Sequence, residues 1–290
     1  MAWDTFMDGL KVRAKERRDR GKELSIMSMP QLDHSIWGIQ KQKLCIVGAR
    51  PSNGKSAFMR QMTLDFIMQG KNVLFFSWEE TKENFIENLV SLYGLVDNFT
   101  LVKGEIDTPK HEEAYNGIRN ILIKEHLHII ETRGRTVNDF ERLCRQPKRV
   151  DCVMVDYIQL ASSEGYGSER QAYDEFIKKA RELAKELDCA VVVASQINRT
   201  TVQNKQVTPP MLQELKGSGV LEEHGDLVFL LHHDYFYKRE DETKKNDYML
   251  IVAKNKQTGR TFIHDCFFYP QYFKLSEQPL ESEHKFYSKG

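Results

Sequence analysis

The sequence predicts an α/β fold with a mainly parallel central sheet, helices on both faces and an antiparallel hairpin near the C-terminus. Two observations carry this. Short apolar segments, rich in β-branched and aromatic residues, alternate with stretches of helical periodicity from residue 44 onward. The segments show little in–out alternation, as strands buried on both faces do. Strands separated by helical stretches imply crossover units and a parallel sheet.

Residues 1–23 come first, placing Trp3, Phe6, Met7, Leu10 and Ala14 on one helical stripe with Arg and Lys on the other face. Such a stripe suits docking on protein better than lying on a membrane. An irregular lead-in with Pro30, Trp37 and Gly38 follows. The strand segments are LCIVGA (44–49), NVLFFSW (72–78), HLHIIET (126–132), DCVMVDYIQL (151–160), CAVVVASQI (189–197) and DLVFLLHH (226–233). Helical periodicity fills SAFMRQMTLDFIMQG and YDEFIKKARELAKELD between them. Residues 247–270 read as two strands around an NKQTG turn. From about Ser276 the chain turns polar and is expected to be poorly ordered.

Composition narrows the function classes. The 290 residues carry 42 basic and 42 acidic side chains, so no global basic field advertises nucleic acid, and any such contact must come from local clusters. No apolar run approaches the roughly 20 residues that span a bilayer, and no signal-peptide pattern opens the chain. Cys45, Cys144, Cys152, Cys189 and Cys266 form no CxxC pair. They read as buried thiols of a reduced, cytoplasmic protein.

The chemistry begins after the first strand. Residues 49–56, Ala49-Arg50-Pro51-Ser52-Asn53-Gly54-Lys55-Ser56, form a small-residue turn between a strand and a helix, the context that a phosphate-binding loop requires. Gly54 and its small neighbours let successive backbone N–H groups point inward at an anion. Lys55 supplies a point charge for the β- and γ-phosphates, Ser56 a hydroxyl for Mg²⁺, and the helix N-terminus a partial positive charge. Ala49 stands where the strict pattern has glycine; ordinary β-region dihedrals there, with Gly48 alongside for close packing, make it tolerable. The implied ligand is a nucleoside triphosphate, ATP or another NTP, with Mg²⁺.

Partners for the loop lie at other strand ends. Asp156 closes the apolar run VMVD and is a candidate to hold Mg²⁺. FFSWEE ends in Glu79 and Glu80, candidates to orient or deprotonate water, although acids also favour the first turn of a helix. Gln196, in SQINR, is a neutral amide able to sense a γ-phosphate; Asn198 and Arg199 begin a polar loop after it. His126, His128, His232 and His233 lack a plausible third ligand and read as structural. DYFYK (234–238) could stack a base, but reads better as packing at the domain edge.

The segments ARPSNGKSAF, FSWEE, VDYIQL, VVVASQINR, LQELKGSGVLEEHGDLVFLL and IVAKNKQTG occur in the order found in the RecA-like motor domain of DnaB-type replicative helicases, which residues 24–270 resemble. The resemblance implies a RecA-like phosphate-loop NTPase. It implies too an ATP-dependent replicative helicase: a homo-hexameric ring hydrolysing NTP at subunit interfaces and translocating on single-stranded DNA. It also accounts for the Ala-Arg-Pro-Ser start of the loop.

Carried over, it makes Glu79 the catalytic base, Asp156 the Walker B acid and Gln196 the conformational sensor. Arg199, Lys216, Gly217 and Gly219 become contacts to the DNA backbone. Lys254 and Lys256 fall where the family acts in trans on a neighbour's site, but with lysine where arginine is usual and a shortened loop, so Arg260 is a rival. Residues 1–23 match the family's linker helix, 24–275 its motor domain, and 276–290 form a tail. No counterpart of the N-terminal scaffold that recruits primase is seen, and a start at Met1 favours a standalone motor, as in phage or plasmid systems, over a fragment. A helicase loader or primase is the expected further partner, and no membrane. A RecA-like recombinase, or a factor that loads or remodels helicases, is the alternative; the KGSG segment and the lysine hairpin argue against the first, and the lack of a loader-type lid against the second.

Overall fold

A computed structural model of the chain describes residues 2–132, 136–156, 167–197, 208–215, 218–239 and 241–280. Its strands are β1 Leu44–Ala49, β2 Val73–Ser77, β3 Leu127–Glu131, β4 Cys152–Asp156, β5 Ala190–Gln196, β6 Leu227–His232, β7 Asp247–Asn255, β8 Phe262–Tyr269 and β9 Lys274–Ser276. The helices are α1 Ala2–Arg20, α2 Pro30–Ile36, α3 Lys55–Met68, α4 Lys82–Gly94, α5 Asn98–Lys103, α6 Pro109–Leu122, α7 Val137–Cys144, α8 Glu169–Glu186, α9 Ser218–His224 and α10 Asp234–Lys238. All nine strands join one sheet in the order β3-β2-β4-β5-β1-β6-β7-β8-β9. The pairings from β3 to β6 are parallel, and those from β6 to β9 antiparallel.

Continuous apolar runs are needed because the parallel strands are covered on both faces. In β2, Val73 and Phe75 enter the core beneath α3 and α4, whereas Leu74 and Phe76 enter the one beneath α7 and α8. Phe75 meets Phe85 on one side (ring centroids 4.5 Å apart), and Phe76 meets Phe140 on the other (4.9 Å). The sequence reading puts β3 in the same class, and there the structure differs. β3 is the sheet edge, with β2 its one neighbour, and its side chains stay partly or wholly exposed.

The C-terminal end departs from expectation as well. Ser276, where the polar tail was expected to begin, lies fully buried in β9, a strand that sequence periodicity does not reveal. Gln61 of α3 reads β9 as a strand would: its amide accepts from Leu275 N (2.8 Å) and donates to Leu275 O (2.9 Å). Beyond it the Glu277 carboxylate accepts from the Gln31 and Leu32 amides at the start of α2 (3.0 and 2.8 Å) and lies 3.1 Å from His264 Nε2. The five cysteines are free and buried, and burial pushes Cys189 and Cys266 up to about 12, which keeps their thiols protonated. Among the described residues no helix is long and apolar enough to cross a membrane. On α1 the stripe foreseen from sequence is open to solvent, with Trp3 77 % and Met7 51 % exposed.

Burial alone would raise the Glu277 pKa, but hydrogen bonds from His264 and the two α2 amides outweigh it and hold the carboxyl below its ordinary 4.5. A depressed carboxylate stabilises the fold above that ordinary value and loses the contribution as pH falls through the folded one. Glu277→Gln should therefore cost about 2 kcal/mol at pH 7, the scale of hydrogen bonds to a charged group. In urea denaturation the gap from wild type should narrow as pH falls below 4.5 and through the lower value of the folded state.

Candidate nucleotide site

The turn after β1 is built for an anion. Ala49 is the last residue of its strand and has no left-handed backbone, so glycine is not required there. Gly48 is the position that could not carry a side chain: a Cβ would come within 2.4 Å of Leu215 and 2.9 Å of Leu230. Ser52 and Gly54 take positive φ (62° and 74°), which curls the amides of the turn inward ahead of α3. A Cβ on Gly54 would sit 3.0 Å from Tyr248 Oη and 3.2 Å from the Phe268 ring.

That conformation is braced from outside. Asn53 turns its side chain into the wall: Nδ2 donates to Pro51 O (3.0 Å) and Tyr237 Oη (2.7 Å), while Oδ1 accepts from His233 N (3.0 Å). Its carbonyl accepts from Tyr248 Oη (2.5 Å). Burial pushes the Tyr248 hydroxyl well above its ordinary pKa, so it stays a donor. Arg50 is likewise engaged at the rim, donating to Thr208 O (2.8 Å) and lying 3.5 Å from the Glu214 carboxylate.

The strand ends foreseen from sequence converge here, because parallel strands place all their C-terminal ends on one edge of the sheet. Gln196 is in register with Ala49 across β5 and β1. Asp156 is in register with Ser77 across β4 and β2. Its Oδ1 lies 3.5 Å from Lys55 Nζ and, although buried, takes no hydrogen bond from the described residues. A buried carboxylate oxygen with spare acceptor capacity beside Lys55 is what a hard cation's site offers. Glu79 lines a cleft of about 630 Å³ together with Pro51, Ser52, Lys55, Ser56 and Gln196. Glu80 does not: Arg60 and Asn88 hold its carboxylate.

Other candidates lie elsewhere. Lys254 is paired with Val228 near the start of β6, the opposite edge of the sheet from the phosphate loop. It donates to Glu222 O, and Lys256 donates to Glu223 O (3.1 Å), both at the C-terminal turn of α9. Partial burial, and then the charge of Lys256, push Lys254 below the usual ammonium value. Arg260 is exposed just past the hairpin turn. Gly219, the second residue of α9, has open space where a side chain would stand. Arg199, Lys216 and Gly217 lie outside the described residues; the bridge between Ile197 and Leu215 fixes where the chain leaves and returns.

Several cleft residues were missed from sequence. Phe268 and Phe273 arrive from the hairpin, and His233 from the end of β6. DYFYK does more than pack an edge, since Phe236 faces the cleft and Tyr237 braces Asn53. Aromatic residues just past a strand were the one available signal.

Comparison with known proteins bears on the family and the fold. A family described as DnaB-like helicase C-terminal domain matches residues 26–277. The replicative DNA helicase DnaB of Geobacillus stearothermophilus is 29% identical over 232 residues, 78% of this chain and 50% of the relative. A probable plasmid replicative DNA helicase of Chlamydia psittaci is 29% identical over 77% of this chain and 49% of its own. The chain thus spans about half the length of the curated relatives it matches. A solved structure described as an ATPase domain superposes with a TM-score of 0.80 at 25% identity, covering 94% of this chain and 99% of that one. A DnaB-like replicative helicase described with its interactions with primase gives 0.81 at 25% identity, over 93% of this chain and 66% of that one. The fold is therefore that of RecA-like ATPase domains.

Tyr248→Phe removes the brace on the Asn53 carbonyl while keeping the ring. It should cost about 1 kcal/mol of stability and weaken binding of a fluorescent ATP analogue measurably more than that of a bystander Phe variant such as Tyr115→Phe.

Proposed function

Because this chain belongs to the DnaB-like helicase C-terminal domain family, we propose that it is the motor of a replicative helicase, hydrolysing ATP or another NTP to move along single-stranded DNA. The observation that best supports this is the cleft on which the phosphate loop, Glu79 and Gln196 meet, with Asp156 3.5 Å from the Lys55 that lines it, while Lys254 and Lys256 stand at the far edge of the sheet. In this reading the loop amides and Lys55 hold the phosphates. Ser56 and Asp156 are the residues that would hold Mg²⁺, which supplies neutralising charge when bound. Glu79 orients the attacking water and accepts its proton, and Gln196, at the end of β5, senses the γ-phosphate and passes the state of the site on to Arg199 and the loop beyond. Lys216, Gly217 and Gly219 grip the DNA backbone without reading bases.

Lys254, Lys256 or Arg260 completes a neighbour's site; the resemblance to DnaB-type helicases supports a homo-hexameric ring in the cytoplasm as the working form, with a helicase loader or primase as further partners. The exposed stripe of α1 serves as the linker that docks on the adjacent subunit: residues 1–23 are a linker, and the motor runs from 24 through β9 to Glu277, whose carboxylate closes α2.

Glu79→Gln should bind nucleotide normally yet hydrolyse it at least a hundredfold more slowly, the usual scale for a lost general base. A crippled Glu80→Gln beside a near-normal Glu79→Gln would reverse the assignment.

A charged group acting in trans contributes about 10³-fold where its role is established. Lys256→Ala and Lys55→Ala should each be inactive alone, yet regain turnover when mixed, since a mixed interface can unite an intact loop with an intact lysine. No recovery across mixing ratios, with Arg260→Ala as the parallel case, would place the lysine outside the reaction.

A further inference from the structure

Arg60 lies on α3, which begins at Lys55, and its side chain is only 9 % exposed. Its guanidinium forks onto Glu80, with Nε to Oε1 at 3.1 Å and Nη2 to Oε2 at 3.0 Å. The Phe273 ring lies 5.1 Å from its central carbon. Asn88 of α4 donates to the same carboxylate at 3.0 Å. Two helices, α3 and α4, therefore meet on one side chain of the turn that joins β2 to α4.

That turn carries Glu79, and it is pinned on both sides of it. Before Glu79, Trp78 is buried and its amide donates to Asp156 O (3.0 Å). After it, Glu80 O accepts from Ser77 Oγ (2.6 Å), and the Glu80 side chain takes the fork from Arg60. Glu79 itself is exposed toward the cleft. The backbone anchor fixes the turn to β2 and β4, but the fork ties it to α3, the helix that opens with the phosphate-binding Lys55 and Ser56. A planar, bidentate pair fixes direction as well as distance, which a lysine could not do.

We propose that Arg60 is a positioning residue for hydrolysis: through Glu80 it sets the carboxylate of Glu79 relative to the phosphates held at the start of the same helix. This rests on the reading of Glu79 as the base. A displacement of about 1 Å in a reacting group can cost a hundredfold in rate, so a lost tie shows in turnover before it shows in affinity.

The test measures ATP hydrolysis, ATP-analogue affinity and thermal midpoint on the full chain. Removing one charge of a poorly solvated pair leaves the other uncompensated and can unfold the protein, so the principal variant is the paired Arg60→Met/Glu80→Met, which deletes both charges and keeps volume. Its kcat should fall about tenfold or more, with KM and analogue affinity within twofold of wild type and the midpoint largely retained. Arg60→Lys should not restore kcat, since it lacks the fork. In a Glu79→Gln background the paired change should have no further effect on turnover, because it acts through that carboxylate. Wild-type kcat in the paired variant, a loss confined to KM, or a loss that multiplies with that of Glu79→Gln would each overturn the inference. If Glu79→Gln alone retains turnover, it is the assignment of the base that fails, whatever the paired variant does.

Discussion

The site depends on a turn that the chain would not hold unaided. Left-handed backbone at Ser52 costs about 1–2 kcal/mol, and Gly54 adds the conformational freedom it surrenders. Asn53 lies between them and is where the restraint is applied: its side chain and carbonyl are taken by His233, Tyr237 and Tyr248. These come from the end of β6, from α10 and from β7, so the antiparallel part of the sheet serves as the outer support of the phosphate loop. The same residues close the space beside Gly54, where even a methyl group would crowd Tyr248 and Phe268.

Local features of the site could be read from the sequence because they are written in consecutive residues. A strand, a small-residue turn and Lys-Ser before a helix specify the loop within a dozen positions. Asp156 announces itself by ending an apolar run that has to be buried. What could not be read is set by pairing across long separations. Tyr248 meets Asn53 195 positions away, and Gln61 reads β9 from 214 positions away. Glu79 and Glu80 look alike as letters; what separates them is Arg60, twenty residues back on another element. β3 has a buried-strand composition but lies at an edge, because edge placement is a property of strand order rather than of composition.

Polar side chains also do structural work where the sequence suggests surface. Glu277 closes the N-terminus of α2 and meets His264, joining the last strands to the lead-in before β1. Helix-end amides and His264 hold a carboxylate, against the cost of its burial, in a place where the local composition suggests a solvated tail.

The parallel sheet has two unlike edges. Its C-terminal edge bears the phosphate loop, and its N-terminal edge bears Lys254 and Lys256, which rest on the last carbonyls of α9. In the proposed reading these edges are the two complementary halves of one contact between neighbours, and such a surface cannot pair with itself about a twofold axis. Each contact made this way leaves one unused half at either end of the assembly, so a dimer is never a finished object. Growth stops only when the last subunit meets the first; failing that, it continues as a helix. Whether such a chain makes a closed circle or an open screw is then decided by a few degrees of rotation between neighbours, not by the chemistry of the contact itself.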